Sequence, residues 1–375
     1  MPDIPYPINP DRNLPWNDLP LLPIHGQLYR DIEVFEYLGL AKEALGRLQG
    51  RSVAIPNQGL LINTISLQEA KASSEIENIF TTDDELYKAF SESQPEEPKG
   101  AAKEVLRYRE ALWAGQQHLE QEGFDLDYFI RIYREVKEAN DGIRPPFSQT
   151  VIRQGGSGPN AGNVVYTPPR GEEVIKEKLT NLIEFVNNDE RYRIDPILKM
   201  AIAHYQFEVI HPFRDGNGRT GRIFNIHLLT NKGLLDLPIL YLSRYILDHK
   251  SDYYDLLAGV SQRGAWKPWL IFMLKAVEVT SRLTYQKIND ILSTRDAILE
   301  QVKNRTSIRR PEQLVESLFL QPFTRVKHLT MSKTYAENTA RNYLNELSQL
   351  GILEKRTIEG HHYYLNLELN RILAD

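Results

Sequence analysis

Twelve consecutive residues, His211-Pro212-Phe213-Arg214-Asp215-Gly216-Asn217-Gly218-Arg219-Thr220-Gly221-Arg222, limit what this chain can become more than any other stretch. They bring together a base, a carboxylate, two glycines around an asparagine, and arginines three apart, with almost nothing that serves only packing. Upstream, Asp195-Pro196 reads as an N-cap followed by a first-turn proline, and Ile197, Met200, Ala201, Phe207 and Ile210 recur at roughly helical spacing. The helix they predict stops near Pro212, because the residue before a proline is pushed out of the helical region. Downstream, Ile223, Ile226 and Leu229 resume a helical apolar face. Gly216-Asn217-Gly218 therefore falls in a tight turn opening a second helix, where backbone N–H groups lack internal partners and the macrodipole is positive. Such a turn binds anions, and glycine lets a phosphate come close to the backbone. Arg219 and Arg222 leave one side of that first turn and can fork onto phosphate oxygens. Asp215 is the hard oxygen ligand that a Mg2+ bridging phosphates requires. His211 is the group able to take a proton near neutral pH.

The run resembles the signature of the Fic family of AMP-transferring enzymes, His-x-Phe-x-(Asp/Glu)-Gly-Asn-Gly-Arg-x-x-Arg, with every defined position filled. The resemblance implies a helical core and transfer of AMP from ATP to a Ser, Thr or Tyr hydroxyl of a target protein. It implies that His211 deprotonates the attacking hydroxyl, that Asp215 holds Mg2+, and that Phe213 anchors the loop. Gly216, Asn217, Gly218, Arg219 and Arg222 would bind the ATP phosphates. A second stretch fits the same family. Ala72-Ser73-Ser74-Glu75-Ile76-Glu77-Asn78, inside a helix expected over about 60–80, puts Ser73 and Glu77 four apart on one face. It resembles the inhibitory-helix motif (Ser/Thr)-x-x-x-Glu-(Gly/Asn) of Fic proteins, with Asn78 in the last place and the helix ahead of the catalytic core. A carboxylate set against Arg222 would satisfy that arginine and fill the space of the γ-phosphate, leaving ATP misaligned for attack at the α-phosphorus.

Whole-chain limits agree with this reading. The 375 residues have room for two or three domains, and 41% hydrophobic with 25% charged is ordinary globular composition. A net charge of −5 gives no global basic field toward nucleic acid or an anionic membrane. The absence of cysteine excludes disulfides, thiolate metal sites and a cysteine nucleophile. With neither a basic-then-apolar leader nor a long apolar run, a soluble cytoplasmic protein that does not engage a membrane is expected.

In chain order, residues 1–24 are proline-rich and predict an extended arm whose Leu and Trp16 pack on the body. A helix begins near Asp31 with Val34, Phe35, Leu38, Ala41, Leu45 and Leu48 facing inward. Thr82-Asp83-Asp84-Glu85 reads as a helix cap, residues 91–100 as a charged linker, and about 101–122 and 127–140 as two further helices. Trp113 and Tyr133 read as core or groove residues rather than stacking platforms. Residues 150–153 and 163–167 predict two strands around a glycine-rich loop. Gly156-x-Gly158-x-x-Ala161 in that loop opens no helix, so it is not a dinucleotide fingerprint. The hairpin matches the position of the Fic flap, in which Asn163, Val164, Val165, Tyr166 and Thr167 would hold a target segment by strand addition. A helix is expected over 172–187. His204 reads as a core histidine or one that supports the site from behind, and Glu208 as a solvated or structural carboxylate, with a role in tuning His211 left open. Tyr253-Tyr254 is left between adenine pocket and aromatic packing, and a helix from Trp266 to roughly Asp290 closes the catalytic part.

From about residue 305 three short helices are expected near 311–320, 326–329 and 336–350. A hairpin follows from Ile352-Arg356 to His362-Leu365 with Glu359-Gly360 at its tip, and the set resembles a winged helix. Ten Lys and Arg against eight Asp and Glu in 305–375 are few for a dedicated DNA binder. Lys333, Asn338, Arg341 and Asn342 near the third helix, with Lys355, Arg356, His361 and His362 in the wing, nevertheless leave DNA contact open. Protein docking or a homodimer is the competing reading. The expected fold is mainly α: 1–100 as arm and helical region with the inhibitory helix, 101–290 as a Fic helical bundle with a β-hairpin flap, and 305–375 as a small α+β winged-helix-like domain. Two function classes compete: an autoinhibited protein adenylyltransferase, and an ATP-responsive regulator that binds DNA or a partner. Within the first, the same site could remove AMP, with Glu77 positioning a water, or transfer a different phosphate-linked group, and its target could be another protein or the chain itself.

Overall fold

The computed structural model describes residues 6–53, 55, 58–91, 99–153, 162–331, 333–358 and 360–374. The arm from Tyr6 onward is tied to the body as its apolar content predicts. Asn9 N donates to Ser261 O at 2.8 Å, Trp16 N donates to Thr167 O at 3.1 Å, and Tyr6 meets Trp266 edge-on at 5.2 Å. Helix α1 (Ile32–Val53) lies along α11 (Trp266–Arg305). Its buried stripe is Val34, Leu38, Ala41, Leu45 and Leu48, while Phe35 is 49% exposed, contrary to its expected inward place. One residue is 100° of helix, and that step carries Phe35 off the stripe. Helix α2 (Gly59–Ile76) ends four residues before Phe80, the expected terminus, because Asn78 takes a left-handed φ of 61° and Ile79 N returns to Ser74 O at 3.0 Å. Helix α3 (Asp83–Ser91) opens on a reciprocal cap: Thr82 N donates to Glu85 Oε2 at 3.1 Å and Glu85 N to Thr82 Oγ1 at 3.2 Å.

Helices α4 (Gly100–Glu122) and α5 (Leu126–Lys137) pack together. Strands β1 (Ile152–Arg153) and β2 (Val164–Tyr166) pair antiparallel with Ile152 opposite Tyr166. Both are shorter than expected, and Gly156, Gly158 and Ala161 lie outside the described residues. Helices α6 (Glu172–Asn187), α7 (Pro196–Ile210), α8 (Asn217–Asn231), α9 (Leu242–Asp248) and α10 (Lys250–Arg263) follow. Helix α7 is apolar nearly all round, so it is buried between α6, α8 and α11 and forms the axis of the bundle.

Helix α11 does not stop near Asp290. No glycine or proline interrupts it after Pro268, and Ile288, Ile291, Ile298 and Val302 continue its buried face to Arg305. Beyond it come α12 (Pro311–Phe319), β3 (Phe323–Thr324), α13 (Val326–Met331), α14 (Glu337–Gln349), β4 (Leu353–Ile358), β5 (His361–Asn366) and α15 (Leu367–Ala374). The sheet order is β3-β5-β4, all antiparallel. Strand β3 and helix α15 were not expected; Ile372 O of α15 accepts from Lys287 Nζ of α11 at 2.7 Å. Among the described residues no helix is long and apolar enough to cross a membrane.

Candidate active site

The site grows from the end of α7. Asp195 Oδ1 accepts from Ile197 N at 3.0 Å and Pro196 takes the first turn, as the sequence predicts. The helix terminates at His211, whose φ of 48° is left-handed and unusual for a residue with a Cβ. The imidazole is turned back so that Nδ1 faces Glu208 O at 3.3 Å. A carbonyl oxygen only accepts, so Nδ1 carries the hydrogen and Nε2 holds the free lone pair. Burial, and after it the Arg144 cation, push the pKa of His211 down to about 4.

The loop after His211 is clamped by its own residues. Asn217 Oδ1 accepts from Phe213 N and Asn217 Nδ2 donates to Phe213 O, both at 2.9 Å. Phe213 is fully buried and lies flat on Tyr133 with ring centroids 4.2 Å apart. Asp215 remains largely exposed, with Oδ1 accepting from Gly216 N at 2.6 Å and Oδ2 2.8 Å from Lys137 Nζ. Burial works to raise its pKa, but the Lys137 and Gly216 hydrogen bonds outweigh it and hold the carboxyl below its usual value. Gly216 has a φ of 72°, and a Cβ there would come within 2.9 Å of Lys137 Cγ, so both conformation and space call for glycine.

Arg219 and Arg222, expected to point together, leave α8 toward different helices. Arg219 donates to Glu104 Oε2 of α4 at 3.0 Å, and its buried Nε has no hydrogen-bond partner among the described residues. Arg222 is gripped by α2: Nε donates to Ser73 Oγ at 2.7 Å, and one terminal nitrogen to Ser73 O at 2.9 Å and Glu77 Oε1 at 2.7 Å. A Cβ at Gly218 would overlap Glu77 Oε1, which places that carboxylate against the opening turn of α8. Asn78 Oδ1 accepts from Lys250 Nζ at 3.2 Å.

Of the flap residues, Tyr166 is anchored inward with its hydroxyl donating to Val209 O at 3.0 Å, and Thr167 Oγ1 donates to Arg12 O at 2.6 Å. Val165 O accepts from Gln262 Nε2 at 3.3 Å, while Asn163 is exposed and Val164 half-buried. His204 is a core histidine, with Nε2 2.9 Å from Tyr253 Oη and burial holding its pKa down to about 3. Glu208 is not solvated: its Oε1 is buried without a hydrogen-bond partner among the described residues, and burial pushes its pKa up to about 8. Tyr253 packs in the aromatic core against Trp269 and Phe272, whereas Tyr254 is 43% exposed.

Models of known families match three stretches of this chain: "Fic/DOC family N-terminal" over residues 35–117, "Fic/DOC family" over 123–229, and "Protein adenylyltransferase SoFic-like, C-terminal domain" over 295–369. The chain belongs to the Fic/DOC family. It is similar to protein adenylyltransferase fic-1 of Caenorhabditis briggsae, 30% identical over 178 residues, which are 47% of this chain and 31% of the relative. A probable protein adenylyltransferase of Aquifex aeolicus is 28% identical over 190 residues, 49% of this chain and 54% of that one. The chain thus spans only part of the length of the curated relatives it matches. In fold it resembles a Fic family protein from Desulfovibrio desulfuricans G20, with a TM-score of 0.53 at 19% identity over 89% of this chain and 96% of the other. Fic-1 (residues 134–508) from Caenorhabditis elegans gives a TM-score of 0.52 at 20% identity over 70% and 74%.

Two residues that position this Fic site escaped the sequence reading. Arg144, fully buried, donates from Nε to His211 O at 2.8 Å and from a terminal nitrogen to Ile210 O at 3.4 Å and to Pro169 O, joining the end of α7 to the base of the flap. Lys137 holds Asp215. Neither carries a periodic signal, since each acts across long sequence separation. Among the described residues no three His, Cys, Asp or Glu side chains cluster as a metal site. A Mg2+ bound chiefly through nucleotide phosphates needs only one or two carboxylates, and Asp215, kept ionised beside an anion-binding turn, fits that donor set.

Proposed function

We propose that this chain is an autoinhibited protein adenylyltransferase, transferring AMP from ATP to a Ser, Thr or Tyr hydroxyl of a target protein and releasing pyrophosphate. The observation that carries the reading is the His211 tautomer: with Nδ1 committed to Glu208 O, Nε2 is an unprotonated base at the mouth of a phosphate-binding turn. Nε2 takes the hydroxyl proton as the oxygen attacks the α-phosphorus in line and the bond to pyrophosphate breaks. The first-turn amides around Gly216, Asn217 and Gly218, with Arg219 and Arg222, hold the phosphates and the charge that develops on the leaving group. Asp215 would hold Mg2+, whose charge stabilises that leaving group. The flap residues Asn163 to Thr167 register the target segment by main-chain pairing.

Autoinhibition follows from Ser73 and Glu77. They take Nε and one terminal nitrogen of Arg222, so a γ-phosphate can claim those donors only when the end of α2 withdraws. The cysteine-free chain suits a reducing cytoplasm. The regulator reading has less support. A sensor needs the phosphate turn but not a base, and Arg341 and Arg356 of the C-terminal segment are engaged with Glu337, and with Glu354 and Asp84.

The test incubates wild type, Glu77→Gly and Glu77→Gly/His211→Ala with Mg2+ and ATP labelled at the α or γ phosphate, alone and with lysate proteins. Protein-bound label from the α position, strong in Glu77→Gly and lost in the double variant, is expected. Label from the γ position, or undiminished transfer without His211, overturns the reading.

A further inference from the structure

Helix α2 carries a longer polar stripe than the pair that faces the site. Glu69, Ser73 and Glu77 recur every four residues and share one face. Glu77 touches Arg222 at the cleft, and Ser73 takes Arg222 Nε one turn deeper. Glu69 lies a further turn in, 1% exposed, without contact to any proposed catalytic residue. A carboxylate at such depth costs stability unless its oxygens are fully used. They are: Oε1 accepts from Tyr108 Oη of α4 at 3.0 Å and from Ser243 Oγ of α9, and Oε2 accepts from Ser243 N at 2.8 Å.

Between Glu69 and the site stands Ser73, one turn on from Glu69 along the same face of α2, with its Oγ accepting from Arg222 Nε at 2.7 Å. Glu69 is therefore the point at which this face of α2 is pinned to its neighbours: to α4 through the Tyr108 hydroxyl and to α9 through the Ser243 hydroxyl and amide. Glu69, Tyr108, Ser73 and Arg222 are all buried, so water does not substitute for a missing contact.

We propose that Tyr108 and Glu69 are positioning residues for the inhibitory contact: they fix α2 on α4 and α9 two turns before its end, so that Ser73 and Glu77 meet Arg222. This rests on the reading of Glu77 as the inhibitory group. Glu77 alone is a partly exposed side chain at the very end of a helix. The buried contacts of Glu69 behind it supply the register.

Tyr108→Phe tests this with the ring volume kept and one hydroxyl removed. In the otherwise native chain, AMP transfer is expected to rise about two- to tenfold, the worth of one hydrogen bond, without exceeding Glu77→Gly. Nucleotide affinity should tighten in parallel. Added to Glu77→Gly, the same change should alter the rate by less than about twofold, because the contact it positions is already gone. Amide hydrogen exchange should quicken over residues 73–79 and stay unchanged in α7 and α8. Glu69→Gln, which turns donors toward Ser243, should act in the same direction, with melting temperature followed to separate unfolding from release. Equal losses of activity in both backgrounds would assign the chain a purely structural role and overturn the proposal, as would an unchanged rate and exchange pattern. If Glu77→Gly shows no AMP transfer at all, the functional reading falls, and the exchange comparison still decides whether Tyr108 holds α2.

Discussion

The floor of the cleft and the helix that covers it are built on different terms. The floor, from the end of α7 through the turn into α8, is closed on itself. Asn217 bonds twice to Phe213, Phe213 lies on Tyr133, and Arg144 ties the carbonyls of Ile210 and His211 to the flap base. The cover, the last turns of α2, meets the floor's arginine, among the described residues, through Ser73 and Glu77. A floor of this kind keeps its geometry whether or not the cover is seated, and the cover can be displaced without unfolding what lies beneath. Burial separates them as well: Phe213 is inaccessible, while Glu77 is partly open to water.

The largest expected effect tests the floor. Phe213→Ala removes a buried ring and its stack, and should cost about 3–5 kcal/mol by the usual range for buried aromatics, measured by denaturant unfolding. A loss below about 1 kcal/mol would show that the loop is not held by its core anchor, and the contrast with the cover would vanish.

Next in size is Arg144. Replacing it with methionine keeps a long side chain but strips the carbonyls of His211, Ile210 and Pro169 of their donor, for an expected loss of about 1–3 kcal/mol. Arg144 also helps hold the His211 pKa down to about 4. Because that value lies below the ordinary imidazole value, the unfolded chain takes the proton first. His211's contribution to stability is therefore complete above about pH 6.5 and is lost as the pH falls through about 4. In the Glu77→Gly variant, kcat/KM should change by less than about twofold between pH 8 and 6, where an unperturbed imidazole would lose about fourfold. Glu77 raises the His211 pKa, so its removal only strengthens the expectation. Adding Arg144→Met should move the acid limb upward. A midpoint near 6.5 in the variant that keeps Arg144 would mean that the working base is not held as the structure holds His211.

The floor was readable from sequence because its parts are contiguous. Cap, helix stop at Pro212, glycine turn and helix restart each leave a local mark, and all appear where expected. Ser73 and Glu77 were readable for the same reason, being one turn apart. What the sequence concealed acts at a distance or lacks a period. Arg144 sits in an irregular segment 67 residues before its partner His211. Glu208 carries a polar side chain at a position that tertiary packing buries. Strand β3 is two residues long, too short to show alternation. Helix α15 did leave a signal, Leu369, Ile372 and Leu373, at helical spacing, but the hairpin before it drew the boundary too early.

The smallest expected effect lies where the C-terminal segment touches the cover from outside. Arg356 of β4 reaches Asp84 Oδ2 in the first turn of α3 at 2.8 Å, and α3 is joined to α2 by Lys71 on Asp83 at 2.8 Å and by Gln68 on Tyr87. A path thus runs from the β4–β5 hairpin to α2, but its outer link is weak. Both Arg356 and Asp84 are partly exposed, and Arg356 already has Glu354 at 2.8 Å. The double-mutant cycle of Arg356→Ala and Asp84→Ala should give a coupling below about 1 kcal/mol, falling further with added salt. Basal AMP transfer should stay within about twofold of wild type, since Lys71 and Tyr87 hold α3 on α2 without help from that hairpin. A tenfold rise on breaking this pair would reverse the picture. The cover would then be held from two sides, by the buried contacts of Glu69 beneath α2 and by the C-terminal segment above it, and whatever binds that segment would have a direct hand on Glu77.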